Sequence, residues 1–168
     1  MILALIVMFS YLKLKTPSIY VPDQIREQWD SVWLANVPRL NATGGGPPCS
    51  ANSLVMCMDA KEYLGCVKIQ KDFFGGWAVS GWVPARNQKR LPFVVTGDCD
   101  TTYNATWHIH PARLDSLGRL QYLPELSGYD LQTVIDDPII AGIMTYKPGK
   151  MTAAIKWRGH LVYPVRVQ

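Results

Sequence analysis

The chain has 168 residues, 48% hydrophobic and 18% charged, with a formal charge of +4. That balance belongs to one folded domain able to bury its own core, and it excludes a disordered or low-complexity chain. The basic residues are scattered, with Arg86, Lys89 and Arg90 the densest group, so no nucleic-acid partner is expected.

Cysteines stand at positions 49, 57, 66 and 99, and no two are spaced C-x-x-C. A structural cysteine zinc site is therefore not expected. An even count permits two disulfides, and the N-A-T sequons at Asn41 and Asn104 would suit a secreted protein. The sequence leaves the pairing of Cys49, Cys57, Cys66 and Cys99 open.

The first twelve residues, "MILALIVMFSYL", carry no charge, and Lys13 and Lys15 follow. As a helix they would span about 18 Å at 1.5 Å per residue, against roughly 30 Å of hydrocarbon. A secretory leader would show a basic start and a small-residue cleavage site, and neither is visible. Three readings remain: a short membrane anchor, a segment packed against protein, or a buried strand. The anchor is preferred, and the lysines behind it favour the cytoplasm for the rest of the chain.

Next, "PSIYVPDQIREQWDSVWLAN" predicts a short strand and a helix. Ile25, Trp29, Val32 and Trp33 fall on one stripe of that helix, and Asp23 is placed to cap it. "NATGGGPPCS" predicts a loop, and "ANSLVMCMDAKEY" reads as a second helix or the approach to a strand. Strand-like runs follow in "LGCVKIQ", "GWAVSGWVP", "LPFVVTG" and "NATWHIH", separated by turn-rich or polar stretches that include "ARNQKR". "SGYDLQTVIDD" predicts a helix ended by Pro138. Three more strands, "IIAGIMTYK", "MTAAIKWR" and "HLVYPVRV", turn at Pro148-Gly149 and at Arg158-Gly159-His160. The elements describe one mixed sheet with a few helices, of the α/β or α+β class.

Residues i and i+2 of a strand face the same way. His108 and His110 therefore present two imidazoles together, a start on a metal site, and Pro111 fixes the exit. An aspartate one or two elements away could supply a third ligand and leave a position for water. Ser127 and Asp130 are spaced S-x-x-D ahead of an apolar run, which is a capping box in its Asp form. The same two residues, in the first turn of a helix, could also project toward a metal. His160 belongs to no motif and reads as structural.

Three stretches in order, "KEYLG", "TWHIHP" and "LSGYD", resemble the signature of the JAB/MPN family, whose metalloprotease members are called JAMM proteins. That signature is a glutamate on an early element, then H-x-H-P, then S-x-x-D. "SIYVPDQIREQW" looks like the strand and first helix that open the family's fold, and "AGIMTY" like the strand after the S-x-x-D helix. The likeness covers residues 17 to 168. It implies a single α/β (α+β) domain over residues 16–168, a mixed curved β-sheet flanked by helices, with residues 1–15 an apolar tail outside it.

By that resemblance His108, His110 and Asp130 would bind one zinc ion, with water in the open position. Glu62 would be the general base, and Ser127 would hydrogen-bond the tetrahedral intermediate. The chain has three glutamates, and Glu62 alone stands at the mouth of a strand with Gly65 three residues on; its other reading is a solvated charge beside Lys61. The implied activity is that of a zinc metallopeptidase or isopeptidase. It would cut an amide bond at the C-terminus of a ubiquitin-like or sulfur-carrier protein, or in a peptide. The alternatives are a non-catalytic scaffold module of the same family and an unrelated β-protein with a two-histidine metal site.

Two departures stand out. Sixteen residues separate His110 from Ser127, longer than the family's usual gap, so 112–126 reads as an insertion beside the site. Ser116 has no aspartate three residues on and does not replace Ser127. The glycine-rich stretch 41–50 reads as a second insertion.

Overall fold

In a computed structural model the described residues are 17–36, 61–71, 76–91, 94–114 and 119–168. The strands are β1 (Ser18–Tyr20), β2 (Leu64–Lys71), β3 (Trp77–Pro84), β4 (Arg86–Arg90), β5 (Val95–Asp98), β6 (Ala105–Ile109), β7 (Arg113–Leu114), β8 (Leu120–Gln121), β9 (Ala141–Lys147), β10 (Lys150–Trp157) and β11 (His160–Val167). Two helices accompany them, α1 (Asp23–Ala35) and α2 (Gly128–Asp136).

Seven strands close into a barrel in the order β1-β11-β10-β9-β6-β2-β3. The three residues of β1 make the closure, running parallel to β11 on one side and to β3 on the other. The expected α/β domain, a mixed sheet flanked by helices, is thereby overturned. Strand alternation in the sequence announces strands but not which edges meet, and here both free edges meet on β1. Strand is the predominant structure among the described residues, and β4-β5 and β7-β8 form two further two-stranded sheets. β4 corrects the expectation of a polar connection at "ARNQKR". β7 and β8 lie within the stretch read as an insertion.

One face of every barrel strand feeds a single core: Ile19, Val67, Val79, Trp107, Ile143, Ile155 and Val165 are among its members. Helix α1 adds Trp29 and Trp33, the apolar stripe seen in sequence, and Trp29 stacks on Trp107 with ring centroids 4.8 Å apart. Its cap differs from expectation: Pro22 is the N-cap, Asp23 the first helical residue, and no side chain caps the turn. Helix α2 covers the opposite face, where Val134 packs with Leu126, Met144 and Ala154. The turns at Gly149 and at Arg158-Gly159 use positive φ, as the Pro-Gly and Arg-Gly-His signals predict.

Among the described residues no helix is long and apolar enough to cross a membrane. Residues 1–15, on which the membrane anchor rests, lie outside the described residues, as do the stretch 41–50, Ser116, Cys49 and Cys57. The expected cytoplasmic placement with a membrane-associated tail is corrected accordingly. Cys66 and Cys99 are joined by a disulfide, a bond that persists chiefly in oxidising compartments and speaks against a reducing cytoplasm.

Candidate metal centre

The site is assembled on the outer face of β6, where it meets the approach to β2. Trp107 and Ile109 point into the core, so alternation turns His108 and His110 to the other side. β2 runs antiparallel to β6 with Leu64 opposite His108, and the Ile109 N–H donates to the Tyr63 carbonyl at 3.2 Å. Continuing that register sets Glu62 across from His110. Gly65 matters here, because a Cβ would lie 3.0 Å from both the Trp107 and the Trp82 rings. A glycine three residues after Glu62 lets those indoles close over the backbone.

Asp130 arrives from α2. Its helix starts at Ser127, whose hydroxyl accepts from the Asp130 N–H at 3.2 Å, while Asp130 Oδ2 accepts from the Ser127 N–H and hydroxyl, both at 2.7 Å. The capping box expected from S-x-x-D is present. It also aims the carboxylate, since Asp130 Oδ1 lies 3.5 Å from His108 Nε2 and Oδ2 lies 3.6 Å from His110 Nε2. Cap and ligand roles coincide.

Among the described residues His108, His110 and Asp130 form a group that can hold a metal ion, with ligand atoms all within 4.8 Å of one another. Two features support the fit. His108 Nε2 is buried and has no hydrogen-bond partner, which is costly unless something else is bound. The 3.5 and 3.6 Å separations, one to each carboxylate oxygen, are loose for hydrogen bonds and leave the carboxylate facing both imidazoles, as a shared ion would require. His110 Nδ1 is likewise buried without a partner, so an imidazole offering Nε2 keeps its other N–H unpaired, a weakness in the outer shell.

Burial lowers the His108 pKa to about 4, against the attraction of Asp130 and with help from His110. His108 is therefore neutral at pH 7, as a metal ligand must be. For Asp130, burial resists ionisation, but interaction with His110, the His108 charge and the hydrogen bonds from Ser127 outweigh it. The carboxyl sits well below its usual range. Because His108 is uncharged at neutral pH, the Ser127 bonds are the more durable part of that effect.

Glu62 is 7% exposed, against 6% for His108 and 9% for His110, and its Oε1 lies 4.0 Å from His110 Nε2. Its reading as a solvated surface charge does not hold. Ser127 is exposed at the rim, its hydroxyl engaged with Asp130. His160, at the start of β11, is exposed and paired opposite Trp157.

Two contributors were not legible as site residues. Trp33 Nε1 donates to the His110 carbonyl at 3.1 Å. Arg90 Nε donates to the Glu62 carbonyl at 2.8 Å. Above the site opens a groove of about 380 Å³, lined by Glu62, His108 and Asp130 and by Val95, Tyr129 and Thr133 among others. Buried donors, a carboxylate beside them and an open approach are what metal-assisted chemistry on a bound substrate requires. The chain matches no family model, and no curated protein matches it.

Proposed function

We propose that the protein is a zinc-dependent metallopeptidase or isopeptidase that hydrolyses an amide bond. Its substrate would be a peptide, or the C-terminus of a ubiquitin-like or sulfur-carrier protein. The reading rests on one relationship: Glu62 Oε1 stands 4.0 Å from His110 Nε2, beside a His108, His110, Asp130 donor set. Two imidazoles and one carboxylate are a recurring protein ligand set of catalytic zinc. The order glutamate, H-x-H-P, S-x-x-D supports the same reading as a JAMM-type site, carried by its residues and not by the form of the sheet.

Zinc held there would supply a Lewis acid that lowers the pKa of water and polarises the scissile carbonyl. The chain's own residues do the rest. Glu62 takes the proton of the attacking water and delivers it to the departing amine. Burial of Glu62 keeps bulk water from competing for that proton. The Ser127 hydroxyl, turned from Asp130 toward the substrate oxygen, donates to the charge that develops there.

Metal analysis together with turnover of a quenched peptide library tests the reading. One zinc per chain is expected, lost in Asp130→Ala. Glu62→Gln should keep its zinc and lose about 10²–10⁴-fold in turnover. A zinc-loaded Glu62→Gln protein that cuts as fast as wild type would remove Glu62 from the mechanism. A metal-free protein that copurifies with partners would favour the non-catalytic scaffold.

A further inference from the structure

Glu62 precedes the first residue of β2, Leu64, so the barrel ladder alone does not determine where its carboxylate sits. The segment 61–64 is instead gripped by the β4-β5 hairpin. The Glu62 N–H donates to the Leu91 carbonyl at 3.2 Å, and the Leu64 N–H donates to Gln88 Oε1 at 3.1 Å. Arg90, the last residue of β4, does most. Its Nε donates to the Glu62 carbonyl at 2.8 Å and its Nη2 to the Lys61 carbonyl at 3.4 Å. The same Nη2 reaches Asn36 Oδ1, just past the end of α1. The guanidinium carbon lies 4.9 Å from the centre of the Tyr63 ring.

We propose that Arg90 is the positioning residue for Glu62: its guanidinium locks the backbone on both sides of the proposed base and ties it to α1. The inference rests on the hydrolase reading for its catalytic consequence. Its structural half stands on the contacts alone. A planar guanidinium can donate in two directions while stacking on a ring, which a lysine ammonium cannot do. A carboxylate must stay within hydrogen-bond reach of the proton it takes. A misplacement of about 1 Å can cost ~10²-fold in rate. Arg90 is itself neither one of the three candidate ligands nor a residue of the groove lining, and of the groove's residues it bonds Glu62, so its reach into the site runs through Glu62. The same helix α1 holds His110 through Trp33, so base and ligand are referred to one rigid element.

The test uses the full chain with Arg90→Ala and Arg90→Lys, alone and combined with Glu62→Gln. In the wild-type background Arg90→Ala should lower kcat about 10- to 100-fold with KM and zinc content unchanged. Arg90→Lys should recover only part of that loss. In the Glu62→Gln background Arg90→Ala should cost nothing further, since the group it positions is already gone; a full additional loss overturns the proposal. Hydrogen exchange in metal-free protein supplies a readout that needs no activity. In Arg90→Ala the amides of Glu62 and Ile109 should exchange at least about tenfold faster, with those of Ile143 and Ile155 unchanged. Unchanged exchange at Glu62 overturns the positioning role. If wild type hydrolyses nothing, the functional reading fails, and the exchange result still decides whether Arg90 holds Glu62.

Discussion

Trp33 and His110 stand 77 positions apart in sequence and are joined by one buried hydrogen bond, from the indole N–H to the His110 carbonyl at 3.1 Å. On its other side His110 donates its N–H to the Thr145 carbonyl at 3.0 Å, and Trp107 Nε1 donates to the Thr145 hydroxyl at 2.9 Å. A candidate metal ligand at the end of β6 is thus held on both its backbone groups, by α1 and by β9. Trp33 also stacks on Tyr122, with ring centroids 6.0 Å apart. The segment that follows β8 therefore reaches the ligand through one indole.

Trp33→Phe keeps an aromatic ring but removes the donor and the second ring of the indole. The His110 carbonyl loses a partner and the buried side chain leaves a gap, together a cost of about 2–4 kcal/mol in stability. Metal affinity should fall by roughly 10-fold, at the lower end of what loss of an outer-shell contact costs. Competition of the metal-loaded protein against a chromophoric chelator measures the second effect, and thermal melting the first. An unchanged affinity would confine Trp33 to packing.

Acid should unfold the metal-free protein from a higher pH than its carboxylates alone would dictate. His108 falls from 6.5 to about 4 through burial, so between those values the unfolded chain holds a proton that the folded chain does not. Stability is therefore intact above pH 6.5, is lost as the pH falls through that window, and the loss is complete near pH 4. The span corresponds to on the order of 3 kcal/mol. Asp130, held below its ordinary value of 3.8, adds a second loss in the same direction at lower pH. Melting temperatures in chelator from pH 7.5 to 4 should decline steadily from pH 6.5. In His108→Gln the decline should start lower, and a wild-type curve flat to pH 4.5 would contradict the buried neutral histidine.

Much of the site was legible because its motifs are local. The i, i+2 pair on β6 and the S-x-x-D start of α2 each lie within a few residues, so alternation and capping rules reach them. The groups that hold the site were not. Arg90 bonds Glu62 across 28 positions, and in sequence it stood only in the densest basic group, within a stretch read as a polar connection. The fold divides the same way. Long alternating runs such as β9 to β11 were visible, whereas β4, with the sequence RNQKR, carries no apolar face. Closure of the barrel hangs on the three residues of β1, too few for any periodicity to reveal two partners.

The Cys66–Cys99 bond spans 33 residues and ties β2 to the loop beyond β5, where Cys99 lines the groove. A loop of that length constrains the unfolded chain by about 3–4 kcal/mol in the chain-entropy account. Replacing both cysteines by alanine should lower stability on that order. It should also free the groove wall, so that KM for a peptide substrate rises more than kcat falls. Denaturant unfolding and steady-state kinetics read the two effects. A double variant as stable as wild type would show that the bridge contributes nothing.

Asn104 carries a sequon that would suit a secreted chain, yet its side chain is already engaged. Its Oδ1 accepts from the Ile69 N–H at 2.8 Å and its Nδ2 donates to the Ile69 carbonyl at 2.9 Å. The amide thus imitates one more residue of β6 paired to β2, and its own carbonyl accepts from the Ile140 N–H at 2.7 Å. A glycan on Nδ2 would have to displace a ladder bond beside the buried Ala105. When the chain is expressed in a glycosylating host, Asn104 should therefore stay unmodified in folded protein, as peptide mapping would reveal. Asn104→Asp tests the same geometry without a host: the lost donor, and a carboxylate facing the Ile69 carbonyl, should cost about 1–3 kcal/mol. Loss should be smaller in Asn104→Ala if repulsion outweighs the missing bonds. A glycosylated Asn104 in fully folded protein, or an Asn104→Asp variant as stable as wild type, would show that the amide does not hold β2 and β6 together.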